Sequence, residues 1–191
     1  PAGIGIVLGY VDRSRLSSGK PLVNAVSLIH DGEVRFTQTK SLLPTYDVFD
    51  EARYFEPASR RRTAAFGGEQ IGIAICEDIW WETDQHGALH YPVDPVKELL
   101  DKGATVIISP SASPFYSGKL EVRYPLLSRI GKSSGVPVVY VNTVGGNDSL
   151  VFDGRSLVTG VDGSPAFIGA GFQEQLAFVD TGRLSAVGDF R

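Results

Sequence analysis

The sequence holds one cysteine, Cys76, placed where an apolar run over residues 70–75 ends and two acids, Glu77 and Asp78, follow. A thiol at the carboxyl end of a strand in an α/β sheet sits where such folds place their sites. There the next backbone N–H is available to an oxyanion, as in other strand-to-turn nucleophile elbows. Free cysteine is also a common small buried hydrophobe, and residue type alone leaves both readings open. The acids at 77 and 78 raise a neighbouring thiol's pKa, so a nucleophile here needs a base and a cation from elsewhere. Histidine is the usual partner. Of the three, His30 ends a strand at a turn, and His86 and His90 lie in a polar loop outside any HExxH or CxxC context; neither a dyad nor a metal site is expected. Lys40 is the more informative cation: solvated by default, but able to stabilise an oxyanion if desolvated in a pocket.

The elements that must position these groups read as follows. Residues 4–11 and 22–30 form apolar strands, and Asp31-Gly32 signals a turn into a strand over 33–39, so residues 22–39 make a hairpin. Residues 40–60 have no clean period but carry many aromatics, which suits an irregular segment with a function or one folded onto a core. Arg60-Arg61-Arg62 reads as a solvated edge. Short strands are expected at 63–66 and 70–75, a helix at 95–102 with Pro95 near its start and Gly103 at its end, and buried strands at 104–109 and 136–142. A second helix over 120–133 carries Leu120, Tyr124, Leu127 and Ile130 at helical spacing. Residues 149–179 read as short strands. Strand–helix–strand alternation argues for an α/β fold in one domain spanning 1–191.

Composition narrows the class. The chain has 191 residues, 42% hydrophobic and 21% charged, with a net charge of −4. This is the balance of a globular domain, with no basic stripe for nucleic acid and no apolar run long enough to span a bilayer. One cysteine excludes an internal disulfide and suits a cytoplasmic setting. The chain begins at Pro1, contains no methionine, and starts in what reads as a mid-domain strand; the expectation is a piece of a longer protein.

Four blocks carry a resemblance. Lys40-Ser41-Leu42-Leu43-Pro44-Thr45-Tyr46-Asp47-Val48-Phe49-Asp50-Glu51 with Tyr54-Phe55 is the first, and residues 72–80 around Cys76 are the second. The third is Ser111-Ala112-Ser113-Pro114-Phe115 with Gly118-Lys119 and Arg123; the fourth is Val139-Tyr140-Val141-Asn142, Gly145-Gly146-Asn147-Asp148 and Leu150–Gly154 with Ser156. In this order, over nearly the whole chain, they resemble the glutaminase domain of glutamine-dependent NAD synthetases, within the nitrilase (carbon-nitrogen hydrolase) superfamily. The resemblance implies a four-layer αββα sandwich, N-terminally truncated here, and a Glu–Lys–Cys triad. It implies that Cys76 forms a glutamyl thioester and that Lys40 with the Glu77 backbone N–H holds the oxyanion. Glu51 is expected to orient the lysine and the thiol region, Tyr46 to line the glutamine pocket, and Ser113, Phe115 and Arg123 to shape it. Arg123 is read either as a partner for the substrate carboxylate or as a helix-surface residue.

The resemblance also implies parts that the sequence lacks. The base is a glutamate upstream of the lysine; the one glutamate there, Glu33, sits in the hairpin and does not fit, so the chain by itself is expected to be inactive or severely impaired. The Ser-Gly-Gly-x-Asp-Ser nucleotide signature of the synthetase is absent, and Gly145-Gly146-Asn147-Asp148-Ser149 lacks a Walker lysine. No cofactor is expected on this chain; ATP, deamido-NAD and Mg belong to a C-terminal synthetase domain that receives the ammonia. Glutamine, that domain and a second copy of the chain are the expected partners. The competing readings are another amidase of the superfamily and a non-catalytic scaffold.

Overall fold

A computed structural model describes residues 3–82 and 91–182. His86 and His90 lie outside the described residues.

Strands β1 (Gly5–Arg13), β2 (Leu22–His30) and β3 (Glu33–Thr39) form an antiparallel sheet in sequence order. The tight β2–β3 turn is possible because Asp31 and Gly32 both adopt positive φ, 51° and 78°, as a two-residue hairpin turn requires. Residues 40–62 then cross to the second sheet, with one short helix, α1 (Glu51–Tyr54). They fold onto the core: Lys40, Ser41 and Leu42 are all buried.

The second sheet contains β4 (Thr63–Phe66), β5 (Glu69–Ile73), β6 (Val106–Ser111), β7 (Val138–Asn142), β10 (Leu157–Thr159) and β11 (Pro165–Ile168), in the order β11-β10-β7-β6-β5-β4. The pairs β5–β6 and β6–β7 are parallel. Helix α2 (Pro95–Asp101) makes the first crossover and α3 (Lys119–Ser134) the second. Both pack on one face of this sheet, where Val96, Leu99, Leu126, Leu127 and Ile130 meet Ala74, Ile107, Val138, Tyr140 and Leu157. The three-stranded sheet covers the other face, bringing Val26, Val7 and Phe36 against Ile71, Ile73, Ile75 and Val106. The central strands are therefore apolar on both faces, as expected of parallel strands. Helix, sheet and sheet are three layers of the expected sandwich. Outside the three-stranded sheet, the described residues include no long helix, and Ile6, Leu8 and Tyr10 are exposed there.

The strand bounds 22–30, 33–39 and 63–66 agree with expectation. The cysteine strand is shorter: β5 stops at Ile73, Ala74 still donates its N–H to the Ile108 carbonyl of β6 at 3.0 Å, and Ile75, whose N–H turns to the Asp78 carboxylate, leads into the turn that carries Cys76. Arg61 corrects the solvated-edge reading of 60–62. Its guanidinium is buried between the Ser41 hydroxyl, at 2.9 Å, and the Glu98 carboxylate, at 3.2 Å. Residues 144–153 form a second hairpin, β8 (Val144–Asn147) and β9 (Leu150–Asp153), turning at Asp148, whose φ is 51°.

Candidate active site

Cys76 opens a turn of 3-10 helix, Cys76–Ile79, directly beyond the carboxyl end of β5. Its φ is +48°. A non-glycine residue in that region costs about 1–2 kcal/mol, and such strain persists where the surroundings hold it. It turns the chain sharply, so the thiol faces a cavity of about 470 Å³ between the sheets. The first amides of such a turn have no carbonyl partner within it, and the Glu77 N–H is one of them.

Lys40 follows the last residue of β3 and lines the same cavity, as do Glu51, Glu77, Trp80, Ser113 and Asn142. Lys40 is only 2% exposed, and its Nζ donates to Glu51 Oε1 at 2.6 Å. Burial lowers the lysine pKa; Cys76 in its thiolate form, Glu51 and Asp78 raise it, and the net shift is upward. For Cys76, burial is the largest influence and pushes the thiol up. Lys40 pulls it down, Glu77 and Glu51 push it up, and the Ala112 N–H pulls it down; the net shift is upward. The resting group at neutral pH is therefore a thiol with a fixed ammonium nearby, and attack requires a base to accept its proton.

The two acids after Cys76 have separate partners. The Glu77 carboxylate accepts hydrogen bonds from the Tyr46 hydroxyl at 2.9 and 3.0 Å and the Tyr91 hydroxyl at 2.9 Å. Burial raises its pKa, against those two donors and Lys40. Asp78 accepts the backbone N–H groups of Ser41, Leu42 and Ile75.

Tyr46, Phe115 and Arg123 stand elsewhere than expected. Tyr46 and Phe115 are not among the residues that line the cavity; Tyr46 braces Glu77, and Phe115 packs edge-to-face on Phe172 with ring centroids 5.0 Å apart. Arg123 is fully buried, which overturns the helix-surface reading. Its guanidinium donates to Asp153 at 3.3–3.4 Å and to the Gly154 carbonyl. Asn142 joins this network: its Nδ2 donates to the Ser113 and Gly154 carbonyls, and its Oδ1 accepts the Ser113 N–H at 2.9 Å. Arg123 thus braces the loop that bears Ala112 and Ser113. Glu33 pairs with Arg35 at 3.0 Å on the exposed hairpin.

Lys119 was not anticipated. It begins α3, is 1% exposed, and its Nζ has no hydrogen-bond partner among the described residues. It lies 5.1 Å from the ring centroid of Trp80 and 4.7 Å from that of Tyr116. Burial, and after it Arg123, lower its pKa to about 8. One signal was present in the sequence: a cation in the first turn of a helix opposes the helix dipole.

Residues 1–183 match the carbon-nitrogen hydrolase family. The chain is 39% identical over 182 residues to a glutamine-dependent NAD(+) synthetase of Synechocystis sp., covering 94% of this chain and 33% of that protein. It is 36% identical over 179 residues to the enzyme of that name from Thermotoga maritima, covering 93% and 28%. Among solved structures, the glutamine-dependent NAD+ synthetase of Acinetobacter baumannii superposes with a TM-score of 0.79 at 32% identity, over 92% of this chain and 31% of that one. A carbon-nitrogen hydrolase of Helicobacter pylori superposes at 0.76 with 18% identity, a likeness of fold. The chain thus spans about a third of the length of the NAD synthetases it matches. With a thiol at a strand-end elbow and a lysine–glutamate pair in the same cavity wall, it belongs to the carbon-nitrogen hydrolase family.

Proposed function

We propose that this chain is the glutamine-hydrolysing part of a glutamine-dependent NAD synthetase. The observation that carries the reading is the convergence of Cys76, at its positive-φ elbow, and the Lys40–Glu51 pair on one cavity. Cys76 Sγ attacks the side-chain amide carbon of glutamine. The carbonyl oxygen becomes an oxyanion held by the Lys40 ammonium and the Glu77 N–H. The thiol proton passes through a carboxylate base to the amide nitrogen, the C–N bond breaks, and ammonia leaves a glutamyl thioester. Water then attacks the thioester, releasing glutamate and restoring the thiol.

Glu51 holds Lys40, and Glu77 is engaged by two tyrosines, so neither is assigned as the base; in this reading another glutamate supplies it, and the chain alone turns over poorly. Lys119 does not itself line the cavity, but it packs on Trp80, which does, and its Nζ has no hydrogen-bond partner among the described residues; it is assigned the α-carboxylate of glutamine in place of Arg123. Ser113 and the braced loop shape the other wall. ATP, Mg and deamido-NAD act in the amidation half-reaction on the synthetase domain that receives the ammonia, and no residue of this chain is assigned to them. A cytoplasmic setting and self-association belong to the same reading. No helix among the described residues is long and apolar enough to cross a membrane.

A glutamine-like electrophile such as a diazoketone tests this directly. Expected is one adduct per chain, on Cys76, slowed by glutamine and lost in Lys119→Met. Labelling indifferent to glutamine would favour another amidase of the superfamily, and full glutaminase activity of a Cys76→Ala variant in a complete synthetase would end the proposal.

A further inference from the structure

Asp78 is 1% exposed, and its carboxylate is occupied by backbone donors from two distant segments. Oδ1 accepts the N–H groups of Ser41 at 2.9 Å and Leu42 at 2.8 Å, the two residues after Lys40. Oδ2 accepts the N–H of Ile75 at 3.0 Å, the residue before Cys76. We propose that Asp78 is a positioning residue that fixes the Lys40 ammonium relative to the Cys76 thiol. The proposal rests on the reading of those two residues as oxyanion partner and nucleophile.

The segments need such a link. The Lys40 N–H bonds the Asn24 carbonyl of the three-stranded sheet, which the chain does not rejoin until Phe55 and Glu56 meet Leu22. Beyond Lys40 the chain leaves the sheet, and buried amides there need an acceptor. On the other side, β5 ends at Ile73, and Cys76 is held at a φ that the chain does not adopt without support. One carboxylate satisfies both segments at once. Asparagine cannot: with its oxygen toward Ser41 and Leu42, its NH2 faces the Ile75 donor, and flipped, it faces theirs. Burial raises the Asp78 carboxyl against the pull of its backbone donors and Lys40, to a net value of about 6, so it is ionised at neutral pH.

Because Cys76 is the only cysteine, the pH profile of its alkylation by iodoacetamide in the 191-residue chain reads that thiol alone. Lys40→Met is expected to move the profile up by about one unit or more, as loss of a nearby opposite charge does. Asp78→Asn is expected to move it up by about half a unit on a chain with unchanged circular dichroism, and to add nothing in the Lys40→Met background. The sign discriminates: removing a negative charge by itself would move the profile down. No shift, a downward shift, or an equal upward shift with and without Lys40 overturns the proposal. If Asp78→Asn does not fold, Asp78→Glu carries the same test, since it keeps both acceptors but displaces them by a methylene; a smaller, Lys40-dependent upward shift is then expected, and an unmoved profile overturns it. If Lys40→Met itself has no effect, the underlying reading of Lys40 fails and the proposal falls with it.

Discussion

Lys40 Nζ and Glu51 Oε1 stand 2.6 Å apart, with the lysine side chain 2% exposed and the glutamate 18%. Despite that difference, Glu51 Oε2 is itself buried and has no hydrogen-bond partner among the described residues. Removing either partner therefore strands a buried charge, and breaking a buried pair in this way costs about 3 kcal/mol or more. Glu51→Ala and Lys40→Met are each expected to lower the free energy of unfolding by about 3 kcal/mol, whereas an exposed pair would contribute at most about 1 kcal/mol. Urea unfolding of the two variants measures both, and a loss below about 1 kcal/mol in either would contradict the buried-pair account.

The elbow at Cys76 makes a second stability prediction. At φ +48° any Cβ is strained, so Cys76→Ala keeps the strain and Cys76→Gly releases it. Glycine normally loses to alanine by about 0.5–1 kcal/mol through the entropy of the unfolded chain, whereas the left-handed strain relieved is about 1–2 kcal/mol. Cys76→Gly should thus be at least as stable as Cys76→Ala in thermal melts. At an unstrained position the order would be the opposite.

Arg123 and Asp153 form a fully buried pair that ties α3 to the end of β9. Arg123→Lys loses the planar fork that reaches both Asp153 and the Gly154 carbonyl. It is expected to destabilise the chain by about 2 kcal/mol or more. The rate of labelling by a glutamine-like electrophile at saturation should change less than it does for Lys40→Met. An Arg123→Lys chain of unchanged stability that no longer binds the probe would restore Arg123 as a substrate contact.

The legible part of the fold was the part written in periodicity and turn chemistry. Asp31-Gly32 fixed the hairpin, and the apolar runs of β6 and β7 identified strands buried on both faces. The place of Cys76 was legible because an apolar run ends at the only cysteine of the sequence. Residue types alone could not show which buried polar groups meet across the sandwich. Asp78 read as an acid unfavourable to a thiolate, yet its carboxylate faces backbone donors 36 and 37 residues away in sequence. Arg61 read as a surface arginine, and Arg123 as either a surface residue or a substrate partner, because the acceptors that allow their burial, Ser41 and Glu98 for one and Asp153 and Gly154 for the other, become neighbours only on folding.

Lys119 gives the sharpest test of the substrate assignment, because it links affinity, pH and stability with independent signs. Its pKa of about 8 means the side chain is charged below that pH and neutral above it. If it meets the glutamine α-carboxylate, Lys119→Met should weaken glutamine protection of Cys76 from alkylation by about tenfold or more, since a hydrogen bond between charged groups contributes about 1.5–3 kcal/mol. In the unmodified chain, protection should decline as pH rises through about 8, and the decline should be absent in the variant. Stability should move the other way. A lysine whose folded pKa lies below its unfolded value destabilises the fold while charged, and that penalty disappears as pH rises from about 8 toward the unfolded lysine value. Lys119→Met should accordingly be more stable than the unmodified chain at pH 7, with the gap narrowing toward pH 10. Glutamine protection that ignores both the substitution and the pH would leave Lys119 as a lysine packed on Trp80 and Tyr116 and nothing more.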